Sequence, residues 1–169
     1  LRHLTESVVT EPSASIVKRE AAAEPEQVAA MLGGARLLRR QVRSPLEAHE
    51  LLLRGLPPKA LDHLIGNLVV LRKNASLGRA IGMSVRTFQR RKEVPARPLS
   101  PEQSGKTWQF AGILAKATQV FGTQKAAEEW LEQPATGLDQ RRPIDLLATT
   151  AGGELVQEFL ERLRYGVYA

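Results

Sequence analysis

Prolines in this chain stand where helices can begin and glycines where they can end, and no other feature constrains the fold as much. Ser44-Pro45, Pro57-Pro58, Ser100-Pro101 and Pro143 each open a stretch of good helix formers, and Gly55 and Gly122 close two of those stretches. Proline lacks an N–H and has a fixed φ, so it suits the first helical turn, where N–H groups have no intrahelical acceptor. A serine just before it can accept one of those N–H groups. This punctuation predicts a helix from Pro25 to Leu32 stopped by Gly33-Gly34, and a second from Ser44-Pro45 to Gly55. A third opens at Pro57-Pro58, where Leu61, Leu64, Ile65, Leu68 and Leu71 share one helical face. A long helix runs from Ser100 to Phe121, and a shorter one, capped by Thr123, carries Trp130 and Leu131 and stops before Pro134.

The remaining segments are shorter. Residues 35–42 fit a strand or a helix equally well. A polar loop spans 134–142 and a helical turn spans 143–148, after which Gly152-Gly153 is expected to break the chain. Leu155, Val156, Phe159, Leu160 and Leu163 then mark a last amphipathic helix. Residues 1–24 show no period and read as a flexible arm. The fold class is all-α, and Trp108 and Trp130 fall at core positions.

Of the 169 residues, 43% are apolar but only 5% aromatic, so the core must be built from Leu, Val, Ile and Ala. The absence of cysteine excludes disulfides, thiolate chemistry and Cys-type zinc sites. His3, His49 and His63 are scattered without metal-ligand spacing, so neither a metal nor a cofactor is expected. Asp62 and His63 are neighbours that point in different directions on a helix, which makes a poor catalytic pair. Gly33-Gly34 fits neither the dinucleotide fingerprint nor the P-loop. Catalysis needs a convergent nucleophile, base and stabiliser, and the sequence offers none, so the chain reads as a non-enzyme. No apolar run approaches the roughly 18 residues of a membrane span, and nothing resembles a signal peptide. The expectation is a soluble protein of the bacterial cytoplasm that does not engage membranes.

The chemistry that does stand out is cationic. Net charge is +6, and between Ser76 and Lys106 seven Lys or Arg face two Glu, a local balance of 7 − 2 = +5. Within this segment, small Ala80 allows two helices to approach, Gly82 permits a tight turn and Ser84 can cap a second helix, which is the layout of a helix-turn-helix. On that second helix Val85 and Phe88 share an inward face, while Arg86, Thr87 and Arg90 point outward with Gln89 and Arg91 beside them. Ser84, Arg86, Thr87, Gln89, Arg90, Arg91 and Lys92 are therefore the expected DNA-binding set, able to offer bidentate donors to guanine edges and contacts to phosphate. The competing reading is a solvated basic helix in an ordinary bundle. A monomer of this size would bind DNA weakly, so a dimer reading two half-sites is expected.

The run Gly82-Met83-Ser84-Val85-Arg86-Thr87-Phe88-Gln89-Arg90-Arg91-Lys92 resembles the helix-turn-helix of Xre/MbcA/ParS antitoxins. Leu99-Ser100-Pro101-Glu102-Gln103-Ser104, Ala127-Glu128-Glu129-Trp130-Leu131, Pro134, Arg142-Pro143-Ile144-Asp145-Leu146-Leu147, Thr150-Ala151-Gly152 and Tyr165-Gly166-Val167 follow in the order that family shows. The likeness covers roughly residues 55 to 169. Ser104-Gly105-Lys106 departs from an acidic-then-Arg pair, and Asp139-Gln140 from a more glycine-rich loop. Pro95 and Pro98 break helix and place a domain boundary there, which divides the chain into the flexible arm over 1–24, a domain over 25–95 that the resemblance marks as Xre-like and DNA-binding, and a domain over 96–169 that it marks as toxin-binding. The resemblance further implies repression of a shared operon and neutralisation of a RES-type, NAD-consuming toxin by a C-terminal end that blocks its pocket. A homodimer within a hetero-oligomeric toxin–antitoxin complex is the implied assembly.

The C-terminal residues have features of their own that bear on this. Residues 143–169 hold four acids against two arginines, a balance of −2, which suits a basic pocket. Both tyrosines of the chain, Tyr165 and Tyr168, fall in its last five residues. Tyrosine is enriched at binding hot spots, although these rings could instead fold back onto their own domain. A carboxylate at Ala169 would mimic a phosphate. The expected toxin-binding set is Arg142, Glu158, Arg162, Tyr165, Gly166, Val167, Tyr168 and Ala169, with a local salt bridge the other use for Arg142. The alternative function is a stand-alone transcription regulator whose C-terminal half dimerises or senses a ligand.

Overall fold

The capping residues set most helix boundaries. A computed structural model describes residues 24–73, 75–84, 86–88, 90 and 97–166. Helix α1 covers 24–31 and buries Val28 and Ala29. At Gly33 and Gly34 the backbone turns left-handed (φ 92° and 63°) but then re-enters a helix, α2 (Gly34–Leu38). The segment that fitted strand or helix is therefore helical to Leu38 and irregular by Val42, and both residues are buried.

Helix α3 (Pro45–Arg54) opens with a full capping box: Ser44 Oγ accepts from Glu47 N–H, and Glu47 Oε2 accepts from Ser44 N–H. Helix α4 (Pro58–Gly66) ends earlier than its apolar spacing predicts. Leu68 and Leu71 are buried as expected, but they reach the core from an irregular segment and a 3₁₀ turn (Leu71–Lys73), not from α4. Helix α5 (Ala75–Ala80) and α6, helical at 86–88 and 90, flank a tight turn.

Helix α7 (Pro101–Phe121) is the strut of the fold. Five consecutive residues, Phe110 to Leu114, are all buried, so its middle is surrounded on every side. It packs against α3, α5, α8 (Gln124–Glu132) and α10 (Thr150–Arg164). A 3₁₀ turn (Thr136–Leu138) and α9 (Pro143–Leu146) link the last two helices. No strand occurs among the described residues, and the all-α expectation holds. One apolar cluster runs from Val28 to Leu160. Trp108 and Trp130 sit on its rim, half-buried; Trp130 stacks between Phe121 (5.1 Å) and Phe159 (6.1 Å).

Lys116 reinforces this packing from α7, with Nζ 3.0 Å from Glu24 Oε1 on α1 and 2.8 Å from Glu161 Oε1 on α10. Burial works against the ammonium, but hydrogen bonds to Glu161 and Glu24 outweigh it and hold its pKa above the ordinary value.

The expected break at Gly152-Gly153 is not there. Thr149 Oγ1 accepts from Gly152 N–H and starts α10, so both glycines lie in its first turn, buried. They are small because neighbours come close. A Cβ on Gly152 would collide with the carbonyl oxygen of Leu146, and one on Gly153 with the Gln109 amide. Gly105 of α7 has nothing near its missing Cβ. Gly152→Ala is therefore expected to destabilise the protein by about 1–3 kcal/mol through overpacking. Gly105→Ala should stabilise it by about 0.5–1 kcal/mol through helix propensity. Urea denaturation of the two variants checks both signs.

Candidate nucleic-acid and partner-protein surfaces

The helix-turn-helix is assembled by backbone geometry. Gly82 N–H donates to Arg79 O (3.2 Å) and Met83 N–H to Gly78 O (2.7 Å), the paired bonds of a Schellman motif with Gly82 at the left-handed position (φ 69°). Met83 is buried, which pins the turn to the core. Ser84 Oγ then accepts from Thr87 N–H at 3.1 Å, and Phe88 N–H donates to Ser84 O at 2.9 Å, starting α6. Phe88 packs half-buried against the core, whereas Arg86 and Arg90 are exposed. Thr87 is half-buried, with its hydroxyl 2.8 Å from Ser84 Oγ. Val85, Gln89, Arg91 and Lys92 lie outside the described residues. Of the expected DNA-binding set, Ser84 thus starts the helix while Arg86 and Arg90 project from it.

The second expected set divides. Glu158 and Arg162 are exposed on α10, one turn apart, with the Arg162 guanidinium 5.9 Å from the Phe159 ring. Tyr165 follows at the end of the helix, 64% exposed, with Arg164 5.7 Å from its ring centroid. Gly166 is exposed in a left-handed conformation, φ 66°. Val167, Tyr168 and Ala169 lie outside the described residues, as do residues 1–23 of the expected arm.

Arg142 makes the local bridge, on the seam between the two halves of the chain. Its Nε donates to Asp145 Oδ2 (2.7 Å) and its Nη2 to Asp145 Oδ1 (3.0 Å) and Ser76 Oγ (3.1 Å). Ser76 Oγ donates to Asp145 Oδ1 (2.9 Å), and Arg79 reaches the same oxygen at 3.2 Å. The hydrogen bond from Arg142 lowers the Asp145 pKa; partial burial opposes it, and Ser76 and the two guanidiniums add to the lowering. One carboxylate of α9 thereby holds the first helix of the helix-turn-helix.

A second carboxylate does the same from α8, and the sequence reading missed it. Glu128 is fully buried. Its Oε2 accepts from the N–H groups of Val69 (2.9 Å), Val70 (2.6 Å) and Leu71 (3.0 Å), and its Oε1 accepts from Gln124 Nε2 (2.7 Å). These three backbone donors are the ones that α4 would have used had it continued. Nearby, Leu56 N–H donates to buried Ser104 Oγ (2.8 Å) and Leu99 N–H to Leu56 O (2.9 Å).

Among the described residues no cluster of His, Asp or Glu could hold a metal ion, and no helix is long and apolar enough to cross a membrane.

Glu128→Ala would leave three N–H groups without their acceptor and is expected to cost about 3 kcal/mol or more, with Glu128→Gln costing about 1.5–3 kcal/mol. Urea denaturation measures both. The lowered Asp145 pKa contributes stability that is present above the unfolded carboxyl's value of about 3.9 and is lost as pH falls through the folded value below it. Asp145→Asn should therefore melt lower than wild type at pH 6, with the gap narrowing as pH falls below the unfolded carboxyl's value of about 3.9. A gap that stayed constant would remove the ion pair from the account.

Two family models match the chain in succession. The "Antitoxin Xre-like helix-turn-helix domain" matches residues 47–112, and the "Antitoxin Xre/MbcA/ParS C-terminal toxin-binding domain" matches residues 116–166. Three proteins named Antitoxin Xre are similar. The one from Yersinia enterocolitica is 33% identical over 96 residues, 56% of this chain and 64% of the relative. The one from Pseudomonas putida is 32% identical over 70 residues, covering 41% and 44% of the two chains. The one from Photorhabdus laumondii is 26% identical over 114 residues, covering 67% and 75%. The chain thus spans less than two thirds of the length of the first two. With a Schellman-closed turn and a Ser84-capped, arginine-bearing helix inside the first match, and Glu128, Asp145 and α10 inside the second, the chain belongs to the Xre/MbcA/ParS antitoxin family.

Proposed function

We propose that this chain is an antitoxin with two working faces: α6, which reads operator DNA, and the end of α10, which engages a toxin. The observation that carries the first face is the exposure of Arg86 and Arg90 on a helix whose opposite side, through Phe88, packs on the core. Outward guanidiniums on a helix seated this way can pair with guanine edges in the major groove and with phosphates. Support for the second face comes from Tyr165. A large ring left 64% exposed, beside the exposed Glu158 and Arg162, offers area and hydrogen-bonding capacity to a partner.

The toxin assigned to this face is of the RES type, an NAD-consuming protein whose pocket is blocked by the segment that includes 167–169. The reading places residues 25–95 in the DNA-binding role and 96–169 in the toxin-binding role. It assigns the chain no catalytic step of its own. The operator-bound form is a homodimer in the bacterial cytoplasm, because two half-sites supply the affinity that one short helix cannot.

Two variants separate the faces. Arg86→Ala combined with Arg90→Ala should weaken binding to the operator by at least the roughly 1–3 kcal/mol of one good base contact and leave toxin rescue intact. Tyr165→Ala together with removal of 167–169 should abolish rescue of cells expressing the adjacent toxin gene and leave operator binding unchanged. Full rescue by the second variant would remove the C-terminal end from the toxin interface.

A further inference from the structure

An open depression of about 550 Å³ lies where the helix-turn-helix meets the C-terminal half. Small residues (Ala75, Gly78, Gly82 and Ala148) line it and leave room, and two cations, Arg79 and Lys106, share its wall. Lys106 belongs to the second turn of α7, outside the helix-turn-helix segment. Its alkyl stem lies over Gly82; a Cβ there would sit 2.5 Å from Lys106 Cδ and 3.5 Å from Nζ. Packing against the turn therefore holds the ammonium two residues from Ser84, the cap of α6.

The charge in this depression is not balanced internally. Arg79 and Arg142 both bind the Asp145 carboxylate, and Glu132 acts on Arg142 from further off. No acid among the described residues pairs with Lys106, and Glu102, one turn earlier on α7, does not reach it. A roomy, small-residue floor beside the unpaired Lys106 ammonium, with the Arg79 guanidinium on the same wall, is complementary to a tetrahedral oxyanion.

We infer that this depression is a phosphate subsite, with Lys106 as its principal cation, and that it takes a backbone phosphate of the DNA whose bases α6 reads. The inference rests on the DNA-binding function proposed above and extends that interface onto α7. A phosphate contact positions the protein without reading sequence, so Lys106 should contribute equally on any duplex, unlike Arg86 and Arg90. Lys106 is the residue to change, because altering Arg79 would also disturb Asp145.

The test compares the full-length wild type with Lys106→Gln and Lys106→Arg. Affinity is measured for a duplex from upstream of the protein's own gene and for a random-sequence duplex, over a salt series. Each phosphate neutralised adds about 0.9 to the magnitude of the log K against log salt slope. Lys106→Gln should lose about that much slope on both duplexes, so a fourfold rise in salt weakens it about threefold less than wild type. Lys106→Arg should keep the wild-type slope. Equal melting temperatures would show that all three chains are folded. A Lys106→Gln slope equal to wild type overturns the subsite while leaving the DNA-binding function standing. A loss confined to one duplex overturns it too, since that would be sequence reading. If the wild type binds neither duplex, the subsite and the DNA-binding function fall together; a shift of the Lys106 resonances by inorganic phosphate in that case would assign the depression to a free anion.

Discussion

The Glu128 carboxylate is the interaction around which the two halves of this protein are arranged. A buried carboxylate is costly unless its oxygens are satisfied, and here three consecutive backbone N–H groups and one side-chain amide satisfy them. Three adjacent N–H groups converge on one oxygen only if the backbone leaves the helical ladder. That is why α4 stops at Gly66 although the leucine spacing continues to Leu71. The departure leaves Val69 64% exposed, turns Leu68 and Leu71 inward and delivers the chain to the start of α5. The position of the helix-turn-helix is thus set from α8, more than fifty residues further along the chain.

Helix α7 makes the same dependence visible in packing. The two family matches meet inside it, one ending at residue 112 and the other beginning at 116. That junction falls on Ile113 and Leu114, which are fully buried. A boundary between sequence modules is here the centre of a single core, not a linker. Glu128 holds residues 69–71 and Asp145 holds Ser76, so the seam is fastened at two places. Neither half can reorient without breaking buried hydrogen bonds.

Much of this was legible in the sequence, and the part that was not has a common cause. Ser44-Pro45, Ser100-Pro101, Thr123 and Gly82 announced their structures because capping and turn geometry are local: the residue that satisfies the N–H lies three positions away. Gly152-Gly153 misled because glycine has two uses. The same composition that breaks a helix also admits a neighbouring backbone, and only the position of the Leu146 carbonyl decides between them. Glu128 was overlooked because the backbone donors it binds are distant in sequence. A signal did exist: it lies on the helix face of Ala127 and Leu131, where an acid has no business unless donors await it. Arg142 read as a partner contact or a local bridge, and the Ser76 hydroxyl that draws it to the seam is 66 residues away.

Five acids of this chain are spent on internal acceptor work, and that has an electrostatic consequence. Glu47 caps α3, Glu128 and Asp145 hold the seam, and Glu24 and Glu161 clasp Lys116. Among the described residues Arg86, Arg90 and Lys106 are among the cations that make no ion pair. Salt acts on the two populations differently. Exposed cations are screened beyond about 8–10 Å at ordinary ionic strength, whereas the buried Glu128 cluster is scarcely touched. On the proposed DNA-binding role of α6, raising salt should weaken binding while the seam stays closed, so that loss of binding under salt would report on contacts with phosphate and not on loss of the fold.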